Sequence, residues 1–150
     1  MKFLIDKLFG DKLISQSPEK QEHRLQVATA TLLLEVVRAD FETDEREVKR
    51  MRQLLIKFFD LSDDELNDLI AGAEEEANQL VSIQHLTRLL NEQYAEPDKI
   101  RIIEMMWQLV FADGNLDHYE EHLIRQVAEL LYLPHSAFIQ ARHKAEPPVM

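Results

Sequence analysis

Residues 39–47 of the chain read ADFETDERE, and residues 112–120 read ADGNLDHYE. We call them the first and second acidic segments. An offset of 73 residues places Asp40 on Asp113, Asp44 on Asp117 and Glu47 on Glu120. Self-similarity at a fixed offset is typical of an internal duplication, so we predict two halves that share one arrangement of helices.

Apolar residues recur at helical spacing on both sides of each acidic segment. A long helix is predicted to begin at Ser17, because Pro18 then stands in the first turn, where its missing N–H is not needed. Its apolar face is formed by Leu25, Leu32, Val36 and Ala39. The segment Ser62-Asp63-Asp64-Glu65 matches a capping box and predicts another helix start. Further helices are predicted over residues 45–59, from Ser82, from residues 96–97 with an apolar stripe of Ile100, Ile103, Trp107 and Val110, and from Pro134 toward Lys144.

No stretch shows the alternation of a half-buried strand, and the chain has only three glycines and five prolines. We therefore predict an all-α, single-domain bundle of about seven to eight helices built from two duplicated helix-turn-helix units. Residues 1–16 are interpreted as an N-terminal amphipathic segment and residues 17–145 as the helical domain. Within that domain, repeat one covers about 25–77, a connecting helix about 82–93 and repeat two about 97–145.

The composition narrows the classes of function. A formal charge of −11 disfavours nucleic-acid binding, because phosphate backbones are repelled. The absence of cysteine excludes disulfides and thiol chemistry. No apolar run reaches the length of an integral membrane segment and no signal peptide is recognisable, so we expect a cytoplasmic protein. A peripheral membrane contact through residues 1–13 is an alternative to their packing on the body or on a partner protein, and a homodimer is left open.

The acidic segments have two interpretations. In the first, Asp44 and Asp117 cap the following helices and accept from the backbone N–H three residues on, while Glu47 and Glu120 complete capping boxes. That interpretation leaves Asp40 and Asp113 without a role, since an aspartate in the last turn of a helix opposes the helix dipole.

In the second interpretation, carboxylates of Asp40, Asp44 and Glu47, and likewise of Asp113, Asp117 and Glu120, bind a divalent metal ion together with free helix-end carbonyls. Glu42 and Asn115 are additional oxygen donors. The spacing is not that of a calcium-binding EF-hand loop.

Other motifs in the sequence give weaker evidence for a function. The string His118-x-x-Glu121-His122 matches an inverted zinc-protease motif, but no suitable third ligand follows downstream, and we reject it. The sequence lacks a phosphate-binding loop and a nucleophile motif. A basic strip of Arg46, Lys49, Arg50 and Arg52 is interpreted as pairing with local carboxylates, with docking of an acidic partner as the alternative.

The second acidic segment, Asp113-Gly114-Asn115-Leu116-Asp117-His118-Tyr119-Glu120, resembles the aspartate–glycine–acidic pattern of the TerB-like family. These are tellurite-resistance proteins, related to a domain found beside DnaJ-type co-chaperone modules. The resemblance covers about residues 20–140 and includes Leu61-Ser62 and Leu133-Pro134. It implies a duplicated all-helical fold and suspected metal binding at the six acidic positions. The first segment departs from the pattern, because Phe41 stands where glycine is common.

We therefore expect a non-enzymatic cytoplasmic module of the tellurite- or stress-resistance type, with no cofactor beyond a divalent metal ion of unknown identity. Its acidic segments would bind that cation or a basic partner protein. The alternatives are a metal-dependent hydrolase that uses the same acidic residues and a purely structural helical domain.

Overall fold

The computed structural model describes residues 17–39, 44–79, 82–112, 114 and 118–146. These ranges contain no strand and form the helices α1 (Pro18–Val37), α2 (Glu45–Phe59), α3 (Asp63–Asn78), α4 (Ile83–Gln93), α5 (Glu96–Ala112), α6 (His118–Leu130) and α7 (His135–Ala145). The predicted all-α, single-domain bundle is confirmed. The predicted N-terminal segment and the tail at residues 147–150 lie outside the described residues.

Serine caps begin three of the helices at the predicted positions. The Ser17 hydroxyl accepts from the Lys20 N–H at 3.3 Å, and the Ser82 hydroxyl accepts from the His85 N–H at 3.2 Å. At α3 the capping box is complete. Ser62 Oγ accepts from the Glu65 N–H at 3.2 Å, and Glu65 Oε1 accepts from the Ser62 N–H at 2.9 Å. These contacts involve residues three apart, so the sequence alone was sufficient to predict them.

The helices α2 and α6 end in the same way. Asp60, directly after α2, has a φ of 55°, and Tyr132, the second residue after α6, has a φ of 60°, so both are in the left-handed conformation. The next residue, Leu61 or Leu133, donates its N–H to the carbonyl five residues earlier, at 3.2 and 3.0 Å respectively. Both ends therefore form a Schellman motif. A duplication predicts such matched ends, and the duplication itself stays a prediction.

The core is built around α1 and α5. Helix α1 packs against α3, α4 and α5 and also contacts α2 and α6, while α5 additionally packs against α2, α6 and α7. The side chains that meet between these helices are fully buried, among them Leu32, Leu33, Val36, Ile103, Trp107 and Val110. None of the helices in the described ranges is both long and apolar enough to cross a bilayer.

One predicted boundary is wrong. The apolar face of α1 was expected to continue to Ala39, but the helix ends at Val37 with Arg38 as its C-cap. The Ala39 N–H then bonds to the Val36 carbonyl at 3.2 Å, as in a tight turn. Because α1 ends before Asp40, the argument that this aspartate lies in the last helical turn loses its basis.

Candidate functional site

Three of the six predicted ligands, Asp44, Glu47 and Glu120, lie in the described part of the chain. The other three, Asp40, Asp113 and Asp117, lie outside it, as do Glu42 and Asn115. Gly114, which follows α5, has a φ of 80° and is therefore in the left-handed conformation that favours glycine at a helix end.

Asp44 is the N-cap of α2, as predicted. Its Oδ1 accepts from the Arg46 backbone N–H at 2.7 Å, and the backbone N–H of Glu47, the predicted donor three residues on, makes a smaller contribution. The Arg46 guanidinium also lies 2.9 Å from Asp44 Oδ2. The side-chain hydrogen bond from Arg46, followed by the backbone one, lowers the pKa of Asp44 below its ordinary 3.8. Asp44 is therefore a carboxylate at neutral pH.

Glu47 and Glu120 are both completely buried, at 0% exposure. In the described ranges they are the charged residues with the deepest burial, and the other buried polar side chains are threonines. Each is the third residue of its helix, α2 or α6. Transfer of an ionised carboxylate out of water is expensive, so two such placements require a compensating interaction.

A sequence signal for this burial exists. Glu47 precedes Met51 by four residues and Leu54 by seven, and both of these residues are in the core. Glu120 precedes Ile124 and Val127 by the same intervals. Both glutamates are thus in phase with the buried stripe of their helix, whereas a solvated capping residue would be out of phase with it.

The described flanks of the two acidic segments adjoin. Ala39, which precedes the first segment's aspartate, lines a cavity of about 190 Å³ together with Tyr119 and His122 of α6. Arg46, which follows the first segment's cap, lines a cavity of about 510 Å³ together with Ala112 at the end of α5. The end of α1 therefore lies beside the beginning of α6, and the end of α5 lies beside the beginning of α2. This arrangement places the flanks of the predicted ligands on one side of the bundle.

The chemistry of the described donors fits a hard cation, because Asp44, Glu47 and Glu120 offer only carboxylate oxygens. Within the described ranges, however, no three histidine, aspartate or glutamate side chains come together in a group that could hold a metal ion. In the rejected zinc-protease string, Glu121 forms ion pairs with two arginines. Glu121 Oε1 lies 3.3 Å from Arg125 Nη2 and 3.7 Å from Arg142 Nη1.

These features define a class of protein: an all-α bundle in which the described flanks of two acidic segments adjoin and each segment ends in a buried glutamate. The family model described as "Tellurite resistance protein TerB" matches residues 26–143. The chain belongs to the TerB family. No curated protein and no solved structure matches the chain.

Proposed function

We propose that this TerB-family chain is a non-enzymatic module of the tellurite-resistance type that binds a divalent cation through its acidic segments. The ligands are drawn from Asp40, Asp44 and Glu47 of the first segment and from Asp113, Asp117 and Glu120 of the second. The observation that carries the proposal is the complete burial of Glu47 and Glu120 at matching positions of α2 and α6.

Glu65 provides an internal reference for a glutamate that only caps a helix. It is also the third residue of its helix, and it completes the capping box of α3 while its side chain stays exposed to solvent. Glu47 and Glu120 occupy the equivalent position in α2 and α6, but no part of either is exposed. A capping glutamate is expected at this helix position, as Glu65 shows, and complete burial is the feature that sets Glu47 and Glu120 apart from it.

A cation would add to the interactions that Glu47 and Glu120 already make in the structure. A buried carboxylate is tolerated when it is paired or when it coordinates a metal, and oxygen-only donors suit Ca²⁺, Mg²⁺ or Mn²⁺ better than softer ions. The beginnings of α2 and α6 add the positive ends of two helix dipoles, which favour carboxylates there before the metal binds.

The test is a thermal-unfolding titration of metal-stripped protein with Ca²⁺, Mg²⁺, Mn²⁺ and Zn²⁺. One ion is expected to raise the free energy of unfolding by about 2.7 kcal/mol at 100 times its dissociation constant, which is roughly 5–10 °C in Tm. The double variant Glu47→Gln/Glu120→Gln should lose this shift, because an amide keeps the shape and removes the charge.

The matched control is Glu45→Gln/Glu129→Gln, which removes the same charge from exposed positions of the same two helices. It should respond to the ion as the unmodified protein does. An identical Tm shift in both double variants, or no shift with any of the four ions, would refute the proposal.

A further inference from the structure

A groove lies on the surface between α2 and α5, and we call it the α2–α5 groove. Two cavities of about 510 and 500 Å³ follow this surface and share Arg50, Gln53 and Gln108 in their walls. Arg50 Nη2 donates to Gln108 Oε1 at 2.9 Å, which connects the two helices at the middle of the groove. The two cavities therefore adjoin at this bridge and follow one another along the helix pair.

The groove is strongly basic, although the chain as a whole carries a formal charge of −11. Six of the 17 lysines and arginines line it: Arg46, Lys49, Arg50, Lys57, Arg101 and Lys144. The acidic residue among the lining side chains is Glu104, which lies 3.6 Å from Lys144 Nζ. The groove walls thus form a positively charged patch on a protein whose net charge is negative.

Most of this charge is not neutralised locally. In the basic strip seen in the sequence, Arg46 pairs with Asp44 as expected, whereas Arg50 donates to glutamines and Arg52 to Asn67. Within the described ranges Lys49 and Lys57 are exposed and form no ion pair. The guanidinium of Arg101 stacks 4.5 Å from the centre of the Phe58 ring. The expectation that the strip pairs with local carboxylates is therefore met at Arg46 alone among its members.

The floor of the groove is apolar. Leu54 and Met105 form it as core residues with 7% and 5% exposure, and the partly buried Phe58 and Phe111 extend it on either side. The eleven-residue separation of Arg46 and Lys57 on α2 corresponds to a groove length of about 16 Å. Cations spread over that length of α2, with Arg101 and Lys144 opposite them in one of the two cavities, match an extended ligand and not a single phosphate group.

We propose that the α2–α5 groove docks an acidic, amphipathic helix of a partner protein. About three turns of helix fill the groove length, with an apolar stripe on the floor and carboxylates against the basic walls. A nucleic acid has no apolar stripe for the floor and is repelled by the charge of the whole chain. Residues 1–16 of this chain carry three lysines and two aspartates, so they lack the complementary charge.

The test uses fluorescein-labelled peptides of about 14 residues with leucines at i, i+3, i+4 and i+7 and with glutamate, glutamine or lysine elsewhere. Fluorescence anisotropy with the full chain in EDTA keeps the result separate from the metal proposal. The glutamate peptide is expected to bind at least tenfold more tightly than the glutamine peptide, and the lysine peptide should bind most weakly. Equal affinities for the three peptides, or tightest binding of the lysine peptide, would overturn the proposal.

Two double variants of equal net charge locate the binding. Lys49→Glu/Lys57→Glu reverses two groove cations and should weaken the glutamate peptide at least tenfold. Lys20→Glu/Arg88→Glu reverses two exposed cations outside the groove and should change its affinity less than threefold. Equal weakening by both variants would show that only net charge acts and would refute the groove. Sedimentation of the unmodified chain as an oligomer that the Lys49→Glu/Lys57→Glu variant dissociates would assign the groove to a second copy and overturn the proposal.

Discussion

Trp107 offers the most quantitative test of the packing. Its side chain is fully buried in α5, with the Phe111 ring stacked at a centroid distance of 5.9 Å and the Phe138 ring at 5.3 Å. The Arg142 guanidinium lies 5.2 Å from the centre of the indole. The indole Nε1–H has no hydrogen-bond acceptor among the described residues. The residue therefore combines a large packing contribution with an unmet polar group.

Two substitutions separate these contributions. Trp107→Ala removes the whole side chain and should lower the free energy of unfolding by about 3–5 kcal/mol. Trp107→Phe keeps a ring for Phe111, Phe138 and Arg142, so the lost packing costs about 1–2 kcal/mol. Removal of the buried N–H offsets this loss by about 1–3 kcal/mol. The phenylalanine variant should therefore fall between about 1 kcal/mol less stable and about 2 kcal/mol more stable than the unmodified protein.

The assay is urea unfolding followed by far-ultraviolet circular dichroism, because both variants lack the chain's single tryptophan and its fluorescence. Thermal unfolding gives a second measure, with about 2–4 °C of Tm for each kcal/mol. A loss of more than about 3 kcal/mol in Trp107→Phe would refute the reasoning, since it would show that the indole N–H contributes to stability.

Three further predictions concern capping and ionisation. Ser62→Ala should lower the free energy of unfolding by about 1 kcal/mol through loss of the α3 cap, while Ser136→Ala at an exposed position should change it by less than about 0.5 kcal/mol, both measured by urea unfolding. Hydrogen bonds from the backbone and side chain of Ser62 lower the pKa of Glu65 below its ordinary 4.5. The ionised Glu65 therefore stabilises the fold above about pH 4.5, and this stabilisation is lost as the pH falls through the lower folded-state pKa. Glu65→Gln should make Tm less sensitive to pH in that range. Burial raises the pKa of Tyr94 from 10.0 to about 12. Tyr94 therefore ionises first in the unfolded chain, and the free energy of unfolding should fall as the pH rises from about 10 to 12. Urea unfolding of Tyr94→Phe should lack that decline, and an unchanged decline would contradict the assignment.

Local features of the fold were predictable from the sequence, and features that depend on tertiary contacts were not. The caps at Ser17, Ser62 and Ser82 involve neighbours three residues away, so their chemistry can be read from the sequence. The end of α1 at Val37 could not be read in this way, because Ala39 continues the apolar spacing although the chain has already turned.

The candidate sites show the same limit. Glu47 and Glu120 were identified as acidic residues at helix starts, and their phase with the buried stripes of α2 and α6 can be read from the sequence, but the completeness of their burial depends on the helices packed over them. The α2–α5 groove was visible only as the strip on α2. Its other wall comes from α5, and the bond from Arg50 to Gln108 joins residues 58 positions apart. No local pattern encodes that pairing.

The central position of α1 has a consequence for synthesis on the ribosome. Its fully buried residues Leu32, Leu33 and Val36 belong to a helix that packs against α5 and α6, which are made much later. Val110 follows Val37 by 73 residues, so at about 5–20 residues per second the nascent chain waits roughly 4–15 s for α5 to be complete. A chain truncated after Gln93 should accordingly bind a hydrophobic dye and be digested rapidly by protease. During those seconds the apolar face of α1 lacks its packing partner α5 and is exposed to solvent. A chaperone that binds exposed apolar segments would therefore have its largest effect at this stage of synthesis.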